Sequence, residues 1–138
     1  MGLRFSIDLA GWRAAPDHYT AAYIKPFLEA MCAANMLYLK THPGTPSILD
    51  PIAGVRYQRE KGSEIWKDIP SILRDRFADC EDLACARVAE LRCGGFPARP
   101  ILLVGARRSG PGRLFHVIVG FGNRREDPSK LLGMTGEA

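Results

Sequence analysis

Asp79-Cys80-Glu81-Asp82-Leu83-Ala84-Cys85-Ala86-Arg87-Val88-Ala89-Glu90-Leu91-Arg92-Cys93-Gly94-Gly95 is the stretch whose reading decides the fold. Asp79 suits a helix N-cap, because its short carboxylate can accept from the free N–H groups of the first turn. Asp82 falls at N3, where an acid complements the positive end of the helix dipole. Cys80, Ala84, Val88 and Leu91 then recur on one face, with Leu83 beside it. Gly94-Gly95 offers the left-handed residue that commonly ends a helix. The stretch therefore predicts a helix that opens on Cys80 and stops at the glycine pair.

Downstream, Arg99 to Val104 and Leu114 to Phe121 are strand candidates, and Gly122-Asn123 is a favoured hairpin pair. With a two-residue turn, Phe121 pairs with Arg124 and His116 comes opposite Ser129. Asp127 then lies one diagonal step away on the face of His116; a three-residue turn would send it to the other face. Upstream, a helix is expected from the N-cap candidate Asp17 to about Lys40, with Ile24, Phe27, Leu28, Met31 and Tyr38 forming its apolar stripe. Pro26 implies either a start nearer Lys25 or a kink. Gly54-Val55-Arg56-Tyr57 reads as extended. A short helix is expected after Ser63, with Ile65, Trp66 and Ile69 turned inward and Pro70 breaking it or opening the next turn. Helices followed by a β-meander make an α+β layout, with the Cys80 helix packed on an antiparallel sheet.

At 138 residues, with 46% hydrophobic and 25% charged residues, the chain has the make-up of one soluble domain that needs neither disulfides nor metal to fold. Domain 1–138 divides into an N-terminal helical part, 1–53, and a core, 54–134. The excess of 19 Lys+Arg over 15 Asp+Glu leaves +4. Arg107, Arg108, Arg113, Arg124 and Arg125 supply much of it from Gly-rich stretches that read as loops. No basic run is interleaved with aromatics, so nucleic acid is not an expected partner. No apolar run nears the roughly 20 residues of a membrane span, and Asp8, Arg13 and Asp17 interrupt any signal-peptide core.

Cys32, Cys80, Cys85 and Cys93 show no C-x-x-C and no zinc spacing, so no metal or other cofactor is expected. Cys85 and Cys93 read as a buried apolar thiol and a helix-end thiol. His18 and His42 read as surface residues, and Gly105 to Gly112 as a hairpin connection without the marks of a phosphate loop. Cys80 is different, because the first turn of a helix lowers a thiol's pKa and raises its reactivity. Asp79, Glu81 and Asp82 oppose that effect, so a cationic partner is required. His116 is the candidate, a polar residue within Leu114-Phe115-His116-Val117-Ile118-Val119, although a core histidine bonded to backbone fits the same pattern. Asp127 is the candidate to orient the imidazole, and a turn acid before proline is its plainer reading.

These residues resemble a family. Asp79-Cys80-Glu81-Asp82-Leu83-Ala84 resembles the nucleophile segment of the transglutaminase-like superfamily. Gly95-Phe96-Pro97-Ala98-Arg99 is similar to its lead-in to the first sheet strand. Phe115-His116-Val117-Ile118-Val119 and Glu126-Asp127-Pro128-Ser129 resemble its histidine and aspartate segments, in the same order. Within the superfamily the chain resembles the small transglutaminase-like cysteine peptidase proteins of phage and prophage gene clusters. The shared features are Gly54-Val55-Arg56-Tyr57 with Glu60, Trp66, Ala89-Glu90-Leu91-Arg92 with Gly95, and Leu132-Gly133-Met134. The likeness spans roughly residues 54 to 134. It implies a papain-like core and a Cys80–His116–Asp127 triad acting on a protein or peptide amide through a thioester. The oxyanion donors would be the Cys80 backbone N–H and one more, for which the Trp66 indole is a candidate. It also implies a place in a bacterial cytoplasm or on a virion. The alternative expectation is a non-enzymatic virion or assembly protein that keeps the fold and binds phage structural proteins.

Overall fold

The computed structural model describes residues 17–59, 65–106 and 113–135. The loop predicted over Gly105 to Gly112, with Arg107 and Arg108, lies largely outside them, as does Ser63. The described chain is mixed α+β: α1 (Asp17–Thr41), a 3-10 turn (Pro51–Ala53), β1 (Arg56–Tyr57), α2 (Ile69–Asp75), β2 (Phe77–Ala78), α3 (Cys80–Cys93), β3 (Arg99–Ala106), β4 (Arg113–Phe121), β5 (Arg124–Glu126) and α4 (Pro128–Leu131).

Helix α3 is the hub. Asp79 caps it, and a reciprocal capping box joins Asp79 to Asp82. Residues Cys80 to Ala86 are all buried, with Val88 and Ala89, because α1 covers one side and the sheet another. One apolar cluster joins Leu28 and Cys32 of α1, Cys80, Ala84, Cys85 and Val88 of α3, and Val117 and Val119 of β4. A second, on the far side of α3, gathers Ile48, Val55, Ile69, Ile72, Leu83 and Ala86. Two arginines of α3 tie it to its neighbours. Arg92 donates to the Ala98 carbonyl at 2.8 Å and pairs with Glu29 of α1 at 3.0 Å. Arg87 bridges Glu90 and Glu126, fastening α3 to β5.

The sheet runs β3-β4-β5, all antiparallel. Its hairpin is the two-residue one: Phe121 pairs with Arg124, Gly120 with Arg125 and Val119 with Glu126. Pairing stops there, so the expected Ser129 partner for His116 does not form. Pro128 cannot donate to a ladder and is well placed in a first helical turn, so the chain leaves the sheet into α4.

Helix α1 spans Asp17–Thr41, close to the expected run from Asp17 to about Lys40, with Pro26 inside it rather than a start near Lys25. Helix α2 begins at Ile69, since Asp68 is its cap, accepting from Ser71 N–H at 3.1 Å, and Pro70 sits in the first turn. Ile65 is therefore outside the helix and exposed. The short extended piece at Tyr57 has a partner that the periodicity did not show: β1 pairs in parallel with β2, Arg56 opposite Phe77 and Tyr57 opposite Ala78. Two-residue strands carry too little alternation to register as a pattern.

Candidate active site

The β1–β2 pair delivers the chain to Asp79 and Cys80. Lys67 secures it: its ammonium pairs with Asp75 at 3.1 Å, donates to the Phe77 carbonyl at 3.1 Å and lies 3.5 Å above the Phe77 ring. The Lys67 N–H donates to Asp82 Oδ1 at 2.7 Å, while Asp82 Oδ2 accepts from Asp79 N–H at 3.1 Å. Asp82, only 1% exposed, thus locks the start of α3 to the preceding loop.

Cys80 is 6% exposed and faces β4. Continuing the Val119–Glu126 pairing by two places would set Val117 against Pro128, which has left the sheet. The Val117 N–H is instead directed at the Cys80 sulfur and favours its ionised form. His116, the neighbouring residue, has its Nε2 atom 2.7 Å from Asp127 Oδ2. A carboxylate only accepts, so Nε2 carries the proton and Nδ1 of the neutral ring is the free base. Nδ1 is buried and has no hydrogen-bond partner among the described residues. Asp127 is held from its other oxygen too, Oδ1 accepting from Lys130 N–H at 3.3 Å as the cap of α4. The acid reaches His116 from a helix cap rather than from a paired strand position.

The resting thiol is not the activated one that a helix terminus alone would suggest. Burial, then the charges of Glu81 and Asp79, push the Cys80 thiol well above its usual value of 9.0. Its S–H donates to Glu81 Oε2 at 3.4 Å, and no hydrogen bond joins it to His116 among the described residues. The Cys80 backbone N–H, expected to serve an oxyanion, donates to Asp79 Oδ1 at 2.7 Å. Asp79, Cys80 and Glu81 present donor atoms within 4.8 Å of one another, but this is the same thiol and cap. Trp66 is half-buried against the cluster that contains Cys80 and meets Phe27 edge-on at 6.4 Å. Cys32 and Cys85 are buried and face each other across α1 and α3, and Cys93 is exposed.

A cleft of about 530 Å³ opens beside Asp79, lined by Gln58, Arg59, Lys67, Phe77 and Asp82 among others. Cys80, His116 and Asp127 do not line it. No described helix is long and apolar enough to cross a membrane. No protein-family model, curated protein or solved structure matches the chain.

Sequence reading missed Tyr57 and Glu81 as members of this site. Both stood inside recognisable segments, but nothing in a one-dimensional pattern says that a β1 side chain packs against the cluster holding the thiol or that a helix N2 carboxylate accepts from it. Glu81 gives a pH-dependent test. Because the folded thiol titrates above its ordinary value, iodoacetamide alkylation of Cys80 is expected to keep rising through pH 9. Glu81→Gln removes the neighbouring charge and is expected to raise the rate at pH 8 roughly three- to tenfold. A wild-type plateau at or below pH 8 would contradict this account of the site.

Proposed function

We propose that the chain is a cysteine-dependent amide hydrolase or acyl transferase of the transglutaminase-like kind, built on a papain-like core. The observation that carries this reading is the His116–Asp127 pair at 2.7 Å with Nδ1 buried and, among the described residues, unpartnered, one residue from the N–H that faces the Cys80 sulfur. A buried imidazole nitrogen without a partner costs about 1–3 kcal/mol, and a proton to be accepted from Cys80 gives it a use.

In this reading the neutral Cys80 thiol turns from Glu81 toward His116 when substrate enters, and Nδ1 takes its proton as sulfur forms a bond to the carbonyl carbon. Electrons move onto oxygen, then return as the C–N bond breaks, and the leaving nitrogen takes the proton from His116. Water, deprotonated by the same Nδ1, opens the thioester and restores the thiol. An amine in place of water makes the reaction a transamidation. Asp127 holds the tautomer and offsets the imidazolium charge.

The test is acylation by p-nitrophenyl acetate, with a Cys80 thioester sought by mass spectrometry and Cys80→Ser as the control. A nitrophenol release that persists in Cys80→Ser would sink the proposal. Asp127 allows a finer separation. Asparagine caps a helix about as well as aspartate, so Asp127→Asn should hold its melting temperature while acylation falls about 10²-fold or more. Asp127→Ala should lose both, with a stability cost of about 1 kcal/mol. Equal acylation in all three proteins would remove Asp127 from the mechanism.

The non-enzymatic reading has its own support in the raised thiol, the Glu81 contact and the occupied Cys80 N–H, which together describe a site at rest. Phage particles that assemble normally around Cys80→Ser, and copurify with it, would favour that reading.

A further inference from the structure

Tyr57 is the residue of the site that the triad does not use. Its N–H donates to the Leu132 carbonyl at 2.9 Å, and the next N–H, of Gln58, goes to Ala78 at 2.9 Å. The backbone of β1 is therefore fixed against both β2 and the end of α4. The ring packs against both apolar clusters, the one containing Cys80 and the one containing Ala78 and Leu83. At its tip the hydroxyl is buried and has no hydrogen-bond partner among the described residues. Such an orphan is costly and calls for an explanation.

Its surroundings supply one. Besides burial, the charges of Asp79 and Glu81, and the Cys80 sulfur whenever it ionises, push the phenol above its ordinary value of 10.0, with Arg59 opposing them. A phenol so placed stays protonated and can give a hydrogen bond to an anion. The Cys80 N–H, the first candidate for such a donor, is committed to Asp79 Oδ1. We propose that the Tyr57 hydroxyl is the donor that stabilises the oxyanion formed when Cys80 attacks a carbonyl carbon. This rests on the nucleophile reading above and names a further catalytic group for it.

Two electrophiles separate the roles. Iodoacetamide is displaced at a saturated carbon: the C–S bond forms as iodide leaves, and no oxyanion appears. With p-nitrophenyl acetate the C–S bond forms while the carbonyl π pair moves onto oxygen, His116 holding the thiol proton. The C=O then re-forms as p-nitrophenolate leaves. Tyr57→Phe is expected to slow acylation by about 10²-fold and to leave alkylation at pH 9 nearly unchanged. Its melting temperature should stay the same or rise, since an unpaired buried hydroxyl has been removed.

Equal slowing of both reactions would make Tyr57 a support for the thiol and overturn the proposal, as would acylation at the wild-type rate. A loss confined to Trp66→Phe would move the donor role to Trp66. A wild-type protein that forms no Cys80 thioester would bring down the nucleophile reading, and this assignment with it. Acylation that depends on His116 but not on Tyr57 would bring down this assignment alone.

Discussion

His116→Ala is expected to lower acylation of Cys80 by p-nitrophenyl acetate at pH 7 by about 10²- to 10⁴-fold, the usual range for loss of a general base. The size follows from the resting state of the thiol. Burial and the Glu81 and Asp79 charges keep Cys80 protonated, so at neutral pH the proposed attack would depend on a base that removes the proton as the bond forms. In the proposed reaction His116 supplies that nitrogen, with Nε2 committed to Asp127 and Nδ1 buried without a hydrogen-bond partner among the described residues. Added imidazole should restore part of the rate in the alanine variant, because it supplies the missing base without rebuilding the side chain. Alkylation at pH 10 should hardly change, since hydroxide then does the deprotonation. An alanine variant that acylates as fast as the wild type at pH 7 would remove His116 from the chemistry.

Asp82→Ala is expected to have the largest effect on stability, on the order of 3 kcal/mol, or a melting temperature lower by about 10 °C. The carboxylate is 1% exposed and accepts from Lys67 N–H and Asp79 N–H, at 2.7 and 3.1 Å. Alanine would strand both donors and open the capping box. Hydrogen bonds to a charged group are worth more than neutral ones, and buried donors left unpaired cost their full desolvation. Asp82→Asn keeps one acceptor and should lose less, although its amide must then face an N–H. Thermal unfolding of the two variants checks this. A loss below about 1 kcal/mol in Asp82→Ala would mean that water replaces the carboxylate, or that the loop from Lys67 to Asp79 is not anchored there.

Helix α3 was legible because its signals are local. Asp79, Asp82 and the glycine pair act within one turn of the helix ends, and the α+β order follows from the sequence of periodicities. The turn at Gly122-Asn123 was also readable, and through it the register that ends at Glu126. Helix α2 was misplaced by several residues, because Trp66 and Ile65 resemble a helical face while the cap is Asp68. The β1–β2 pair was invisible as a pair, since parallel two-residue strands join segments 21 residues apart by backbone bonds that carry no side-chain signature.

The candidate site divides in the same way. That Cys80 opens a helix, and that His116 and Asp127 follow it in order, is written in residue types and spacing. Which electrostatic effect prevails at the thiol is not. Helix dipole and flanking acids oppose each other in sequence, and the outcome depends on burial, which is set by α1, β4 and Tyr57 arriving from distant parts of the chain. The commitment of the Cys80 N–H to Asp79, the turn of the thiol toward Glu81 and the burial of the Tyr57 hydroxyl without a partner among the described residues are likewise products of packing. Residue identity decides which groups can donate, accept or ionise. Only the folded arrangement decides which of them lose water, and at a buried site that loss sets the protonation state.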